Sequence, residues 1–196
     1  MKTILTDIDG VVLDWETSFH QWVELQGEFG MMKRDVYGVN RRYGIDKDRA
    51  RRLVSQFNNS AWIGYLKPLR DAAVFMNRIH YELDYNFVTL TSLSNDSFAQ
   101  KARTSNLLTD IGFVFSDFNY LDTGADKDEA LAELYEKHGS CYWLEDKPEN
   151  YVAGEKAGFK SLLMQHNHSD EWAKENNASV VTNWEEVYNI LKEEEK

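Results

Sequence analysis

Two aspartates stand one residue apart near the start of the chain, in ILTDIDG, where Asp7 and Asp9 close an apolar stretch short enough to be a buried strand. Further on, FVTLTS sets Thr91 and Ser92 at the end of a second apolar stretch, and YWLED sets Glu145 and Asp146 at the end of a third. Carboxylates brought to one place repel each other unless a cation joins them. An oxygen-only ligand set suits Mg2+, a hard ion that keeps several waters in octahedral geometry. Such an ion beside a carboxylate also neutralises a phosphate that would otherwise repel an anionic nucleophile. A calcium-binding EF-hand loop does not fit, because it needs glycine at its sixth position and glutamate at its twelfth, whereas Gly10 falls fourth.

These groups converge only if the strands before them lie side by side and point the same way. Apolar runs at Lys2–Thr6, Asn86–Thr91, Ile111–Phe115, Ser140–Leu144, Phe159–Met164 and Ala178–Val181 read as strands. Between them, Ala72, Phe75, Met76 and Ile79, then Leu131, Leu134, Tyr135 and His138, then Trp184, Val187, Tyr188 and Leu191 recur at helical spacing. Asp126 with Glu129 and Asn183 with Glu186 read as helix starts, in which the first side chain caps free amides and the acid favours the positive end. The alternation predicts an α/β fold, a Rossmann-like parallel sheet flanked by helices. In such sheets ligands bind beyond the carboxyl ends of the strands, which is where the acids fall.

From residue 16 to 66 no strand pattern is evident, while Trp15, Phe19, Trp22 and Val23 and then Ala50, Leu53, Val54 and Phe57 keep helical spacing. The expectation is an α/β core domain formed by residues 1–15 and 67–196, with 16–66 inserted after the first strand as a small helical cap. A net charge of -11 over 196 residues repels polyanions, so no extended nucleic acid is expected as a partner. No apolar run reaches membrane-spanning length, and the first aspartates come too early for a secretory signal. Cys141 is the single cysteine, which rules out an internal disulfide and a cysteine-built zinc site; it reads as a small core residue in a reducing, cytoplasmic setting.

Taken in order, ILTDIDGVV, FVTLTS, ADKDEAL and YWLEDKPEN resemble the four motifs of the haloacid dehalogenase superfamily. The resemblance spans nearly the whole chain apart from the insertion. It implies an Mg2+-dependent phosphatase in which Asp7 is the nucleophile and Asp9 the acid that protonates the leaving oxygen and later activates water. Superfamily members that cleave carbon–halogen bonds lack an acid at the Asp9 position. Thr91 and Ser92 would bind the phosphate together with Lys127. Lys127 opens a helix, where a cation opposes the dipole unless it faces an anion; Lys101 is the alternative lysine. The metal would be held by Asp7, the backbone carbonyl of Asp9 and Asp146. Glu145, standing where an aspartate is commoner, is a further metal ligand ranked below Asp146, direct or through water, and Asp146 has a second reading as a cap on the helix near Pro148.

The runs DIDGVVLDW and VVTNWEEVYNIL look like the deoxyribonucleotidase branch of the superfamily, which implies a nucleoside monophosphate as substrate. A sugar phosphate, a nucleic-acid 3'-phosphate, or a catalytically silent binding protein of the same fold are the alternatives. A cap would exclude water and favour small phosphomonoesters. Its Trp15, Phe19, Trp22, Tyr37, Tyr43 and Trp62 could stack on a base or fill its core. Arg41, Arg42, Arg51 and Arg52 read as a solvated face. His166 and His168, after a strand, read as loop residues, because two histidines without further ligands make a poor zinc site.

Overall fold

The computed structural model describes residues 1–27, 33 and 36–195. Residues 28–32, 34 and 35 of the expected insertion, and the last residue of the terminal KEEEK run, lie outside the described residues. β1 (Lys2–Thr6) runs between β2 (Tyr85–Ser92) and β4 (Tyr142–Glu145), and β3 (Phe115–Leu121), β5 (Lys160–Met164) and β6 (Val180–Val181) complete a six-stranded parallel sheet of order β3-β2-β1-β4-β5-β6. β1 is apolar on both faces because helices cover both. Ile4 packs with Phe87, Leu144 and Trp184 on one side, and Leu5 with Val88, Leu131 and Trp143 on the other.

The helices are α1 (Trp15–Leu25), α2 (Val39–Tyr43), α3 (Lys47–Asn58), α4 (Ala72–Leu83), α5 (Ser97–Asp110), α6 (Asp128–His138), α7 (Pro148–Ala157), α8 (Asp170–Glu175) and α9 (Trp184–Glu194). Successive connections leave β1 toward β2 and β3, then return to β4 on its other side. The order therefore reverses beside β1, and a crevice opens there at the carboxyl ends of the strands. Register aims the motifs at this crevice: Thr6 lies opposite Thr89 and Leu144, and the Asp7 amide carries the ladder one step further by donating to the Leu144 carbonyl at 2.9 Å.

Two sequence expectations are corrected. The strand expected at Ile111–Phe115 is instead β3 at Phe115–Leu121; Ile111 ends α5, and Gly112 turns the chain at φ +127°. β3 lies at the sheet edge and is half-buried along its length, so FSDFNYL lacks the continuous apolar signature of the inner strands. α6 starts at Asp128, with Lys127 and not Asp126 in the capping position and no side-chain cap. Asn183 does cap α9, accepting from the Glu186 amide at 3.0 Å.

Between β1 and α4 the described residues form α1, α2, α3 and a 3-10 turn at Ala61–Gly64, with no strand among them. Asp14 caps α1 through the Thr17 amide, and Asp46 caps α3 through the Arg49 amide. Trp15 stacks on Phe19 with ring centroids 4.5 Å apart, and Phe57 meets both rings edge-on. Trp22 closes the cluster against Phe57 at 5.7 Å. The entering and leaving chains bond to each other, Asp14 N to Lys67 O and Leu69 N to Val12 O. Asn58 Nδ2 ties the end of α3 to the Leu93 carbonyl after β2 at 3.0 Å. Trp22 is buried and packs within this cluster, so Trp22→Ala is expected to destabilise the protein by about 3–5 kcal/mol. Urea denaturation measures this, and a loss below about 1 kcal/mol would contradict its place in the core.

Candidate active site

The turn after β1 is built by backbone: the Ile8 carbonyl accepts from the Val12 and Leu13 amides, both at 2.9 Å, and the Gly10 amide donates to Leu13 O. Gly10 is required twice over. Its φ is +82°, and a Cβ there would lie 2.6 Å from Asp146 Oδ2, so the turn and the acid after β4 approach each other only across a glycine. Asp7 is buried, with Oδ1 accepting from the Ile8 amide at 2.7 Å and Oδ2 lying 3.0 Å from Lys127 Nζ. Lys127 is itself buried and also donates to Glu145 Oε2 at 2.7 Å. A lysine opening α6 faces the positive end of the helix dipole; the two carboxylates explain why it sits there.

Glu145 is used to saturation. Its Oε2 takes Lys127, and its Oε1 accepts from the amides of Asp146 and Lys147 at 3.0 and 3.1 Å. Asp146 is the reverse: it does not cap α7, and its Oδ1 is buried without a hydrogen-bond partner among the described residues. Oxygens of Asp7, Glu145 and Asp146 lie within 4.8 Å of one another. An orphaned carboxylate oxygen inside an oxygen-only cluster fits Mg2+. Both oxygens of Glu145 and both of Asp7 already meet donors, so Asp146 Oδ1 is the carboxylate oxygen of the cluster left without one among the described residues.

Charge follows the same geometry. Burial, and then the neighbouring Glu145, raise the Asp7 pKa; burial, opposed by Lys127, raises that of Glu145. Burial, and then Asp7, push Asp146 up to about 6. Burial disfavours the Lys127 cation, but Asp7 and Glu145 outweigh it and the pKa is raised. Burial likewise raises Asp9, against the pull of Arg103.

Thr91 is buried and lines the same cavity as the acids; Ser92 Oγ donates to the Ala125 carbonyl at 2.9 Å, tying β2 to the turn that delivers Lys127. Lys101 is not brought here; it is exposed and lines a separate groove beside Phe118 and Tyr120. His166 Nε2 hydrogen-bonds the Gly10 carbonyl at 2.7 Å, and His168 stacks on His166, its pKa lowered to about 4 by burial and its neighbour. Arg42 is buried and paired with Glu16, unlike the solvated side chain expected. Cys141 is half-buried with its thiol pushed up to about 11 by burial, which makes it unreactive.

Arg103 was not foreseen. It is fully buried, and its Nη1 donates to Asp9 Oδ1 at 2.5 Å. Its signal was in the helix pattern: Ala99, Arg103, Asn106 and Leu107 share the inward face of α5, where a cation needs a reason.

The cavity over these groups measures 660 Å3 and extends under the insertion past Trp15, Val39, Val54 and Leu69. No helix among the described residues is long and apolar enough to cross a membrane.

No family model matches the chain. An uncharacterized 32.4 kDa protein of the Gp30–rIII intergenic region of enterobacteria phage T4 is 28% identical over 150 residues, 74% of this chain and 53% of that protein. The chain thus spans about half the length of the curated relative it matches. Among solved structures, a haloacid dehalogenase-like family hydrolase from Streptococcus pneumoniae superposes with TM-score 0.71 at 11% identity, covering 97% of this chain and 98% of that one. A D,D-heptose 1,7-bisphosphate phosphatase from B. bronchiseptica, complexed with magnesium and phosphate, superposes with TM-score 0.64 at 15% identity over 99% of each chain. An L-2-haloacid dehalogenase gives 0.61 at 13% identity, over 98% of this chain and 99% of that one. The chain therefore has the haloacid dehalogenase-like α/β fold. Since that fold serves a phosphatase and a dehalogenase alike, the choice of chemistry rests on the site.

An Asp146 pKa raised from 3.8 to about 6 means that the metal-free folded state binds more protons than the unfolded chain between those values. Its contribution to stability therefore falls as pH rises through that window and stays lost above it. A magnesium ion held by Asp146 would compete with that proton. Magnesium at about 100 times its dissociation constant should raise the melting temperature by about 5–10 °C at pH 7.5 and by much less at pH 5. Thermal melts in chelator and in magnesium at both pH values check this; equal shifts at the two would contradict it.

Proposed function

We propose that the protein is a magnesium-dependent phosphomonoesterase that acts through an aspartyl-phosphate intermediate, an acyl phosphate on Asp7. The observation that carries the proposal is the Asp7 carboxylate held by buried Lys127 beside the orphaned oxygen of Asp146, at the floor of a cavity with room for a small phosphate ester. Bound at Asp7, the Asp9 carbonyl and Asp146, magnesium would supply the positive charge that lets a phosphate approach a carboxylate.

The chain's own groups account for the rest. An Asp7 oxygen forms a bond to phosphorus as the ester P–O bond breaks, and the leaving oxygen takes its proton from Asp9. Asp9 then removes a proton from water, whose oxygen attacks the same phosphorus; the bond to Asp7 breaks and inorganic phosphate leaves. Lys127 neutralises charge on Asp7 and on the phosphoryl oxygens, and Thr91 with Ser92 forms the phosphate's other wall. Glu145 orients Lys127 and the turn after β4. The insertion at 16–66 acts as the cap, limiting substrates to small ones.

Within that class a nucleoside monophosphate is the preferred substrate. Trp15, Val39, Val54 and Leu69 are partly buried apolar side chains that line the cavity and pack on the core. Such a wall matches a planar base, whereas a sugar phosphate would leave it facing hydroxyls. A nucleic-acid 3'-phosphate is the second reading, and its presence in a substrate panel separates the two.

Purified protein should release phosphate from an aryl phosphate only with magnesium, and Asp7→Asn should remain folded without turnover; turnover by a verified Asp7→Asn sample would end the covalent mechanism. For the substrate class, Trp15→Ala should lower kcat/KM for nucleoside monophosphates by about 1–3 kcal/mol while sparing the aryl phosphate. Equal loss on both substrates would remove Trp15 from base recognition.

A further inference from the structure

We propose that Arg103 is the positioning residue of the Asp9 carboxylate and couples its orientation to the chain segment that leaves the insertion; this rests on the reading of Asp9 as the acid. A fully buried arginine on α5 needs a cause, because burying an ion pair offers little stability over an apolar side chain of similar volume. Its contacts supply one. Nη1 donates to Asp9 Oδ1 at 2.5 Å, Nε donates to the Ile63 carbonyl at 3.4 Å, and Nη2 is buried without a partner among the described residues. The Asp9 side chain is 22% exposed, so one carboxylate oxygen is anchored to a cation with no exposure while the group still reaches the cavity. An acid must present one oxygen to the leaving group, and a planar donor on the other oxygen fixes the plane in which it does so.

Ile63 belongs to the 3-10 turn on the way out of the insertion, and that segment is seated on the same face of α5. A Cβ at Gly64 would touch Ala102 Cβ and its carbonyl at 3.4 Å, and Asn106 brackets Leu66, accepting from its amide at 3.1 Å and donating to its carbonyl at 3.0 Å. Arg103 alone among these seats also touches the acid. A shift of the exit segment that disturbs the Ile63 carbonyl therefore acts on the guanidinium holding Asp9, and Asn106 holds the same segment without itself touching the acid.

The test compares an activated aryl phosphate, which needs little protonation of its leaving group, with an alkyl phosphate, which needs it fully, using the full chain with magnesium. Asp9→Asn, Arg103→Gln, Arg103→Lys, Asn106→Ala and the Asp9→Asn/Arg103→Gln double variant are measured. Arg103→Gln should lower kcat on the alkyl phosphate about 10- to 100-fold more than on the aryl phosphate, with KM changed less than about twofold on either. Arg103→Lys, which keeps the charge and loses the fork, should show the same bias at a smaller size. The double variant should be no slower than Asp9→Asn alone, because both act on one proton transfer. Asn106→Ala, which loosens the exit segment without touching the acid, should lower the melting temperature and bias the ratio of the two rates in the same direction as Arg103→Gln at a smaller size; an unchanged ratio overturns the coupling to the exit segment. If Arg103→Gln does not fold, the ratio in Arg103→Lys decides. A biased Asp9→Asn with unbiased Arg103 variants, or multiplying losses in the double variant, overturns this inference alone. An unbiased Asp9→Asn overturns the acid reading and this inference with it.

Discussion

One buried ammonium sets the terms for the site. Lys127 Nζ lies between Asp7 and Glu145, each within 3.0 Å, and none of the three has appreciable access to solvent. Two carboxylates of β1 and β4 cannot be buried side by side without such a cation, since the cost of desolvating unpaired charge exceeds what packing can return. The lysine in turn could not open a helix and be buried without them. The three groups fix one another, and through them the ends of β1 and β4 and the start of α6.

Around this pairing the remaining acids are balanced unequally, and the inequality is the functional feature. Glu145 spends every oxygen on the protein, Asp9 has one oxygen on Arg103, and Asp146 keeps a buried oxygen with no partner among the described residues. The first is a strut, the second a held but reachable group, and the third, under the proposed function, the place where a cation would complete the charge balance. Sheet order explains why they meet: β1 stands at the reversal point of a parallel sheet, so loops from β1, β2 and β4 open on the same crevice. The aromatic cluster of α1 and α3 is continuous with the apolar layer that packs against one face of the sheet.

Much of this was legible in the residues. Buried parallel strands are apolar on both sides, so β1, β2, β4 and β5 stood out as short runs, and the polar residues ending β1, β2 and β4 marked the crevice. Helical spacing gave α4, α6 and α9, and the absence of strand patterns gave the helices of the insertion. β3 was misplaced because an edge strand needs no continuous apolar run, and of the apolar IGFVF only Phe115 lies in the strand, the rest forming a helix end and a turn.

The sequence by itself determined which residues are chemically able to act, because residue type and position at a strand end are local properties. Tertiary structure alone decided how they divide the work. That Lys127 and not Lys101 reaches Asp7, that Glu145 is saturated while Asp146 Oδ1 has no partner among the described residues, and that Trp22 packs in the core while Trp15 lines the cavity depend on contacts between elements far apart in the chain. Arg103 shows the limit most plainly. A helix pattern places it inward, but its partner Asp9 is 94 residues away, and hydrogen bonds across such separations are set by how helices seat on the sheet, which no local periodicity encodes.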